Sequence, residues 1–104
     1  MEKFQVRQGD VYVREVSEIP SGATLVKREA GRVILAHGEV TGHSHAIAAK
    51  DASLWAFGAE RYLKVRRPVT LDHEEHDQIK LPAGNFKIVI QREYSPLEIR
   101  NVAD

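Results

Sequence analysis

The stretch "LPAGNFKIVIQREY", residues 81–94, decides the fold class. A turn at Pro82-Ala83-Gly84-Asn85 is followed by Phe86, Ile88 and Ile90 at every second position. Alternation with a period of two places those three side chains on one face of an extended strand, the longest expected in the chain. The same period recurs outward from it. "DVYVREV" (residues 10–16) alternates Val11 and Val13 with Tyr12 and Arg14, while "ATLVKRE" (23–29) and "GRVILAH" (31–37) flank Ala30-Gly31 as a hairpin would. "HSHAIAA" (43–49) and "ASLWAFG" (52–58) are a further pair around Lys50-Asp51, and "RYLKVRRPVTL" (61–71) alternates until Pro68 marks an edge or a bend.

Helix signals are nearly absent, so the expected fold is all-β: a small antiparallel β-barrel or two-sheet roll with little helix. One domain over residues 1–104 is expected, with its core in about residues 4–94 and a tail at 95–104, "SPLEIRNVAD", that ends as a short strand, a short helix or a docked segment. No repeat, low-complexity segment or linker interrupts the chain.

With 15 Lys plus Arg against 15 Asp plus Glu, the net charge is zero and no overall field would recruit nucleic acid or an anionic membrane. The absence of cysteine excludes disulfides, thiolate metal sites and cysteine nucleophiles. No apolar stretch reaches the roughly 20 residues that span a bilayer, and "MEKFQVRQGD" lacks the pattern of a signal peptide. A cytoplasmic protein without membrane contact is the expectation.

Chemistry concentrates in the histidines. "GEVTGHSHAI" (38–47) places His43 and His45 two residues apart, so on a strand both imidazoles leave the same face, roughly 6.5–7 Å apart at the backbone. Imidazole ligates Zn, Cu, Fe, Ni and Mn, and that spacing lets two rings converge on one ion. "LDHEEHDQ" (71–78) adds His73 and His76 around Glu74 and Glu75, in a segment that a tight turn would bring to one side. Four of the five histidines thus fall in two compact motifs about thirty residues apart. The plainer interpretation is two exposed strand histidines and a solvated turn whose carboxylates raise the histidine pKa values, a surface that would charge near pH 6. The two motifs together favour a shared metal site.

His37 reads as a half-buried or hydrogen-bonded histidine rather than a ligand, and Glu39 as a loop carboxylate, with a ligand or ligand-orienting role as its alternative. Gly42 either bends the backbone ahead of His43 or belongs to an ordinary turn. Trp55, Phe57, Tyr62 and Phe86 are expected in the core, the alternative being the mouth of a barrel above an ion. "RYLKVRRP" (61–68) gathers Arg61, Lys64, Arg66 and Arg67, enough for a phosphate or a nucleic-acid backbone, but alternation spreads them over two faces. Gln91, Arg92 and Glu93 of "QREY" reach a pocket only if that strand end lies near the histidines. No phosphate-binding glycine loop, nucleophile elbow or Ser-His-Asp ordering is present.

"RQGDV", "GEVTGHSH", "HEEH" and "LPAGNFKIVIQREY", in that order over residues 7–94, resemble a family of small bacterial proteins of unassigned function, which implies membership and no activity. A second, partial resemblance is to cupins, small β-barrels whose first motif carries His-x-His with a nearby carboxylate and whose second carries Pro-x-Gly and another histidine. His43, His45 and Pro82-Ala83-Gly84 match. Ala46 to Ala49 hold no glutamate and no histidine follows Gly84, so the resemblance implies only His43 and His45 as ligands. His73 and His76 enter on geometry.

The functional expectation is a divalent transition-metal-binding protein with His43, His45, His73 and His76 as ligands, the ion being Zn, Cu, Fe, Ni or Mn. With an open coordination position it would be a metal-dependent enzyme acting on a small-molecule substrate, with Glu74 or Glu75 as proton carriers. Hydrolysis, of a phosphoester or as a nuclease, ranks ahead of oxygenase chemistry, because no carboxylate ligand is evident unless Glu39, Glu74 or Glu75 supplies it. Fully coordinated, the ion would instead add folding free energy. The alternative from another class is a non-catalytic assembly module whose strand edges pair into a homo-oligomer, with the histidines at its interface.

Overall fold

A computed structural model describes residues 3–38 and 42–91. The described residues form ten strands and no helix: β1 (Gln5–Gln8), β2 (Val11–Val16), β3 (Thr24–Leu25), β4 (Val33–His37), β5 (Ser44–Ile47), β6 (Ala52–Phe57), β7 (Glu60–Val65), β8 (Val69–Leu71), β9 (Ile79–Leu81) and β10 (Gly84–Ile90). Consequently none is a helix long and apolar enough to cross a membrane. Glu39 and the segment from Arg92 through the expected tail lie outside the described residues.

All strand pairing is antiparallel. Six strands make one sheet in the order β1-β2-β10-β7-β6-β3, while β4-β5 and β8-β9 form two-stranded sheets. The two small sheets are tied to each other by a bridge in which the Ala46 and Asp72 backbones exchange hydrogen bonds of 2.9 and 2.8 Å. Of the barrel or two-sheet roll expected from the sequence, the closed, cupin-like barrel is not formed among the described residues. The large sheet ends at β1 on one side and at a two-residue β3 on the other.

Residues 81–91 behave largely as their alternation predicts. β10 is the longest strand, sits between β2 and β7, and buries Phe86 and Ile88. Ile90, at its end, is exposed. Opposite Phe86 and Ile88 in the ladders lie Val13 and Leu63, and their cluster continues into Leu35 of β4, Ile47 of β5, Leu71 of β8 and Leu81 of β9. The core therefore draws on all three sheets, which explains how a four-residue strand such as β5 is buried at every position.

Three local expectations need correction, the first being the pair at 43–49 and 52–58: β5 pairs with β4, and β6 with β7 and β3. Ala30 and Gly31 do turn, with φ of 53° and 79° and reciprocal Glu29–Arg32 backbone bonds of 2.9 Å, the geometry of a two-residue hairpin loop. The ladder beyond them stops after that one bridge, because β3 pairs with β6 rather than with β4. Trp55 and Phe57 also depart from the expected core position. Leu54 takes the buried face of β6, leaving Trp55 half-buried and Phe57 exposed on the other, so Phe86 is the aromatic centre of the core.

Candidate metal centre

His43 and His45 enter the site through the β4-β5 hairpin. Gly42 has φ of +86° and open space where a Cβ would stand, so glycine is needed there for backbone conformation rather than for room. On the facing strand the register slips between Ile34 and Ala36, a bulge that buries both Leu35 and Ala36 and sets Ala36 opposite His45.

The Ala46–Asp72 bridge then brings in the second motif. Extending its antiparallel register by successive steps places His45 opposite His73, Ser44 opposite Glu74 and His43 opposite Glu75. Contacts follow that order: the His45 and His73 ring centres lie 4.4 Å apart, the Ser44 N–H donates to Glu74 Oε1 at 2.9 Å, and His43 Nδ1 lies 3.7 Å from Glu75 Oε2. His76 closes the group, its ring 4.5 Å from that of His73 and 5.9 Å from that of His45, while the His43 and His73 rings are 5.7 Å apart. All four histidines singled out in the sequence are thus gathered. His37 stands apart from them in its contacts, exposed and 3.2 Å from a Glu29 carboxylate oxygen.

A third segment, the turn between β1 and β2, completes the surroundings. Buried Gln8 donates through its amide to the carbonyls of Leu71 and Asp77 at 3.0 and 2.9 Å, and its Oε1 lies 2.8 Å from His45 Nδ1. Both amide hydrogens are committed, so Oε1 can only accept and His45 Nδ1 carries the hydrogen. Nε2 of the same ring, 2 % exposed as a residue, lies 3.6 Å from Asp10 Oδ1. Gly9 lets the His76 and His45 rings lie against this turn: with φ of +60°, a Cβ there would stand 2.6 Å from His76 Nε2 and 3.3 Å from His45 Cε1. Gln8, Gly9 and Asp10 were missed as site residues. The "RQGDV" string held the signal, but nothing in its spacing points to histidines some thirty-five residues away.

The donor chemistry suits a metal unevenly. Metal–nitrogen bonds of about 2.0–2.1 Å would hold the centres of two imidazoles on one ion about 4.5–5.2 Å apart, close to the separations around His73. His43, His73 and Glu74 each present a donor atom, all within 4.8 Å of one another. His45, with Nδ1–H directed at Gln8, has the arrangement of a metal-ligating histidine whose second nitrogen is anchored. His73 is less ready. Its Nδ1 accepts the backbone N–H groups of Glu75 and His76 at 3.0 and 3.3 Å, so a neutral ring carries its hydrogen on Nε2. Ligation by His73 requires that turn contact to loosen.

Of the two glutamates, Glu74 is the more firmly placed. The Ser44 N–H, followed by its own backbone N–H, holds its carboxyl below the usual range, which keeps it ionised and favours ligation or anchoring over proton donation near neutrality. Glu75 is mostly exposed beside His43. Ser44 Oγ is buried and has no hydrogen-bond partner among the described residues.

The model of a family described as a domain of unknown function, DUF8820, matches residues 7–91. That span contains the β1-β2 turn, both histidine motifs and all of β10. No curated protein and no solved structure matches the chain.

Proposed function

The chain belongs to the DUF8820 family; from the gathered side chains we propose that it is a divalent transition-metal-binding protein whose ion is held by imidazoles from His43, His45, His73 and His76. The observation that carries this reading is the convergence of four rings from two separate hairpins, with His45 buried and its Nδ1–H committed to Gln8. Histidine and carboxylate donors without thiolate suit Zn, Fe, Mn, Ni or Cu(II), and an all-histidine set more often accompanies a site with an open position than a closed structural one. The likeness to cupins in this proposal is one of chemistry: a His-x-His pair in a small all-β domain, with His43 just before β5 and His45 on it.

With an open position, metal-assisted hydrolysis of a small-molecule substrate is the first reaction class to screen. Glu75, solvent-exposed beside His43, is the better candidate proton carrier and Glu74 the better ligand. The rival assembly reading puts the histidines at an interface between copies, and the near-complete burial of His45 within a single chain favours the metal reading over it.

Elemental analysis of untagged protein beside a His43→Ala, His45→Ala double variant tests the proposal. Near-stoichiometric metal in the wild type and its loss in the variant is expected. Wild-type protein that neither carries nor takes up Zn, Fe, Mn, Ni or Cu would overturn it.

A further inference from the structure

We propose that the β1-β2 turn is the third wall of this metal site, with Asp10 as a carboxylate ligand and Gln8 as the positioning residue that presents His45 Nε2 to the ion. The inference rests on the metal-binding reading and adds to its ligand set a carboxylate from a third segment of the chain.

Asp10 Oδ1 and His45 Nε2 are 3.6 Å apart. Two donors at bond lengths of about 2.0–2.2 Å from a shared ion, at tetrahedral angles, stand about 3.4 Å apart, so little movement would let both ligate. The backbone is anchored on both sides of this carboxylate: Gln91 N–H donates to Asp10 O at 2.8 Å, and Gln8 ties the preceding strand to the 71–77 segment through two further bonds. Gly9 keeps the turn low enough for His76 Nε2 to lie against it. A ligating histidine ordinarily donates its second ring N–H to a fixed acceptor, which sets the tautomer and the ring plane, and Gln8 Oε1 occupies that place. Gln8 touches the ligand and not the ion. The added carboxylate moves the preference towards Fe(II), Mn(II) and Zn(II) and away from soft ions such as Cu(I).

Three measurements on the full untagged chain, freed of metal by chelation, test this. Long-range proton–nitrogen NMR should show His45 as the Nδ1–H tautomer in the metal-free wild type; the Nε2–H tautomer would overturn the role of Gln8. On addition of Zn(II), the Asp10 carboxylate carbon resonance should shift; a stationary resonance in a protein that takes up zinc would overturn Asp10 as a ligand, whatever any variant does. Titration with Co(II) should show Asp10→Asn and Gln8→Met each weakening binding by about 10- to 100-fold, with a changed visible spectrum for Asp10→Asn. Unchanged affinity and spectrum in Asp10→Asn, with binding still lost in the His43→Ala, His45→Ala variant, would sink this inference and leave the metal reading standing. A wild type that binds no metal would remove both.

Discussion

Gln8 shows how a single residue can govern a site it does not enter. Its amide spends both hydrogens on the Leu71 and Asp77 carbonyls and its oxygen on His45, so all three lose a partner if Gln8 is removed. In metal-free protein His45→Ala strands the Gln8 oxygen in the interior, and the expected cost is about 1–3 kcal/mol in urea denaturation. His43→Ala, at a side chain 23 % exposed, should cost less. Equal losses from the two would contradict the buried Gln8–His45 bond. Ser44→Ala removes a hydroxyl that has no partner among the described residues, so it should be neutral or slightly stabilising, in contrast to its histidine neighbours. The histidines were legible as candidates because their types and spacings are visible in the sequence. Gln8 and Asp10 were not, since their meaning depends on which distant segment lies beside the β1-β2 turn.

At the scale of elements, strands were easier to find than their partners. Alternation marks β2 and β10 because each buries one face, but pairing is set by core packing and turn geometry, which leave no periodic trace. Thus "ATLVKRE" and "GRVILAH" carry the signals of a hairpin, and only the turn between them is realised as one. That turn is improvable. Ala30 holds a left-handed φ that costs an alanine about 1 kcal/mol or more and that asparagine tolerates, so Ala30→Asn should raise the melting temperature by several degrees, about 4–8 °C per kcal/mol for a domain of this size. A lowered melting temperature would contradict the hairpin geometry.

The β7-β10 pair also carries an acid-sensitive contact. Lys87 Nζ donates to Glu60 Oε2 at 3.0 Å and Tyr62 OH to Oε1 at 2.8 Å, which together hold the Glu60 carboxyl below its ordinary range, the Lys87 bond having the larger effect. A folded pKa below the unfolded one stabilises the protein above the unfolded value, and that contribution fades as pH falls through the lower folded value. Glu60→Gln should therefore flatten the acid limb of stability against pH while changing little below it. Parallel curves for the two proteins would count against the contact.

For the molecule as a whole, one core joins three sheets and the site sits where two of them meet the β1-β2 turn. Phe86→Ala, at the centre of that core, should cost about 3–5 kcal/mol. The all-β class was readable because period-two patterning is a property of local sequence, whereas the open sheets and their strand order depend on contacts between residues far apart in the chain. The family resemblance added membership and could add nothing about chemistry, so the metal claim rests on the gathered side chains alone.

The most direct measurement is the crystal structure of zinc-soaked protein with anomalous data at the zinc edge. A peak is expected about 2.0–2.1 Å from His45 Nε2, with further ligands drawn from His43, His73, His76 and the carboxylates beside them. A zinc-saturated crystal with no peak among these side chains, or with zinc only at exposed His37, would contradict the metal-binding reading.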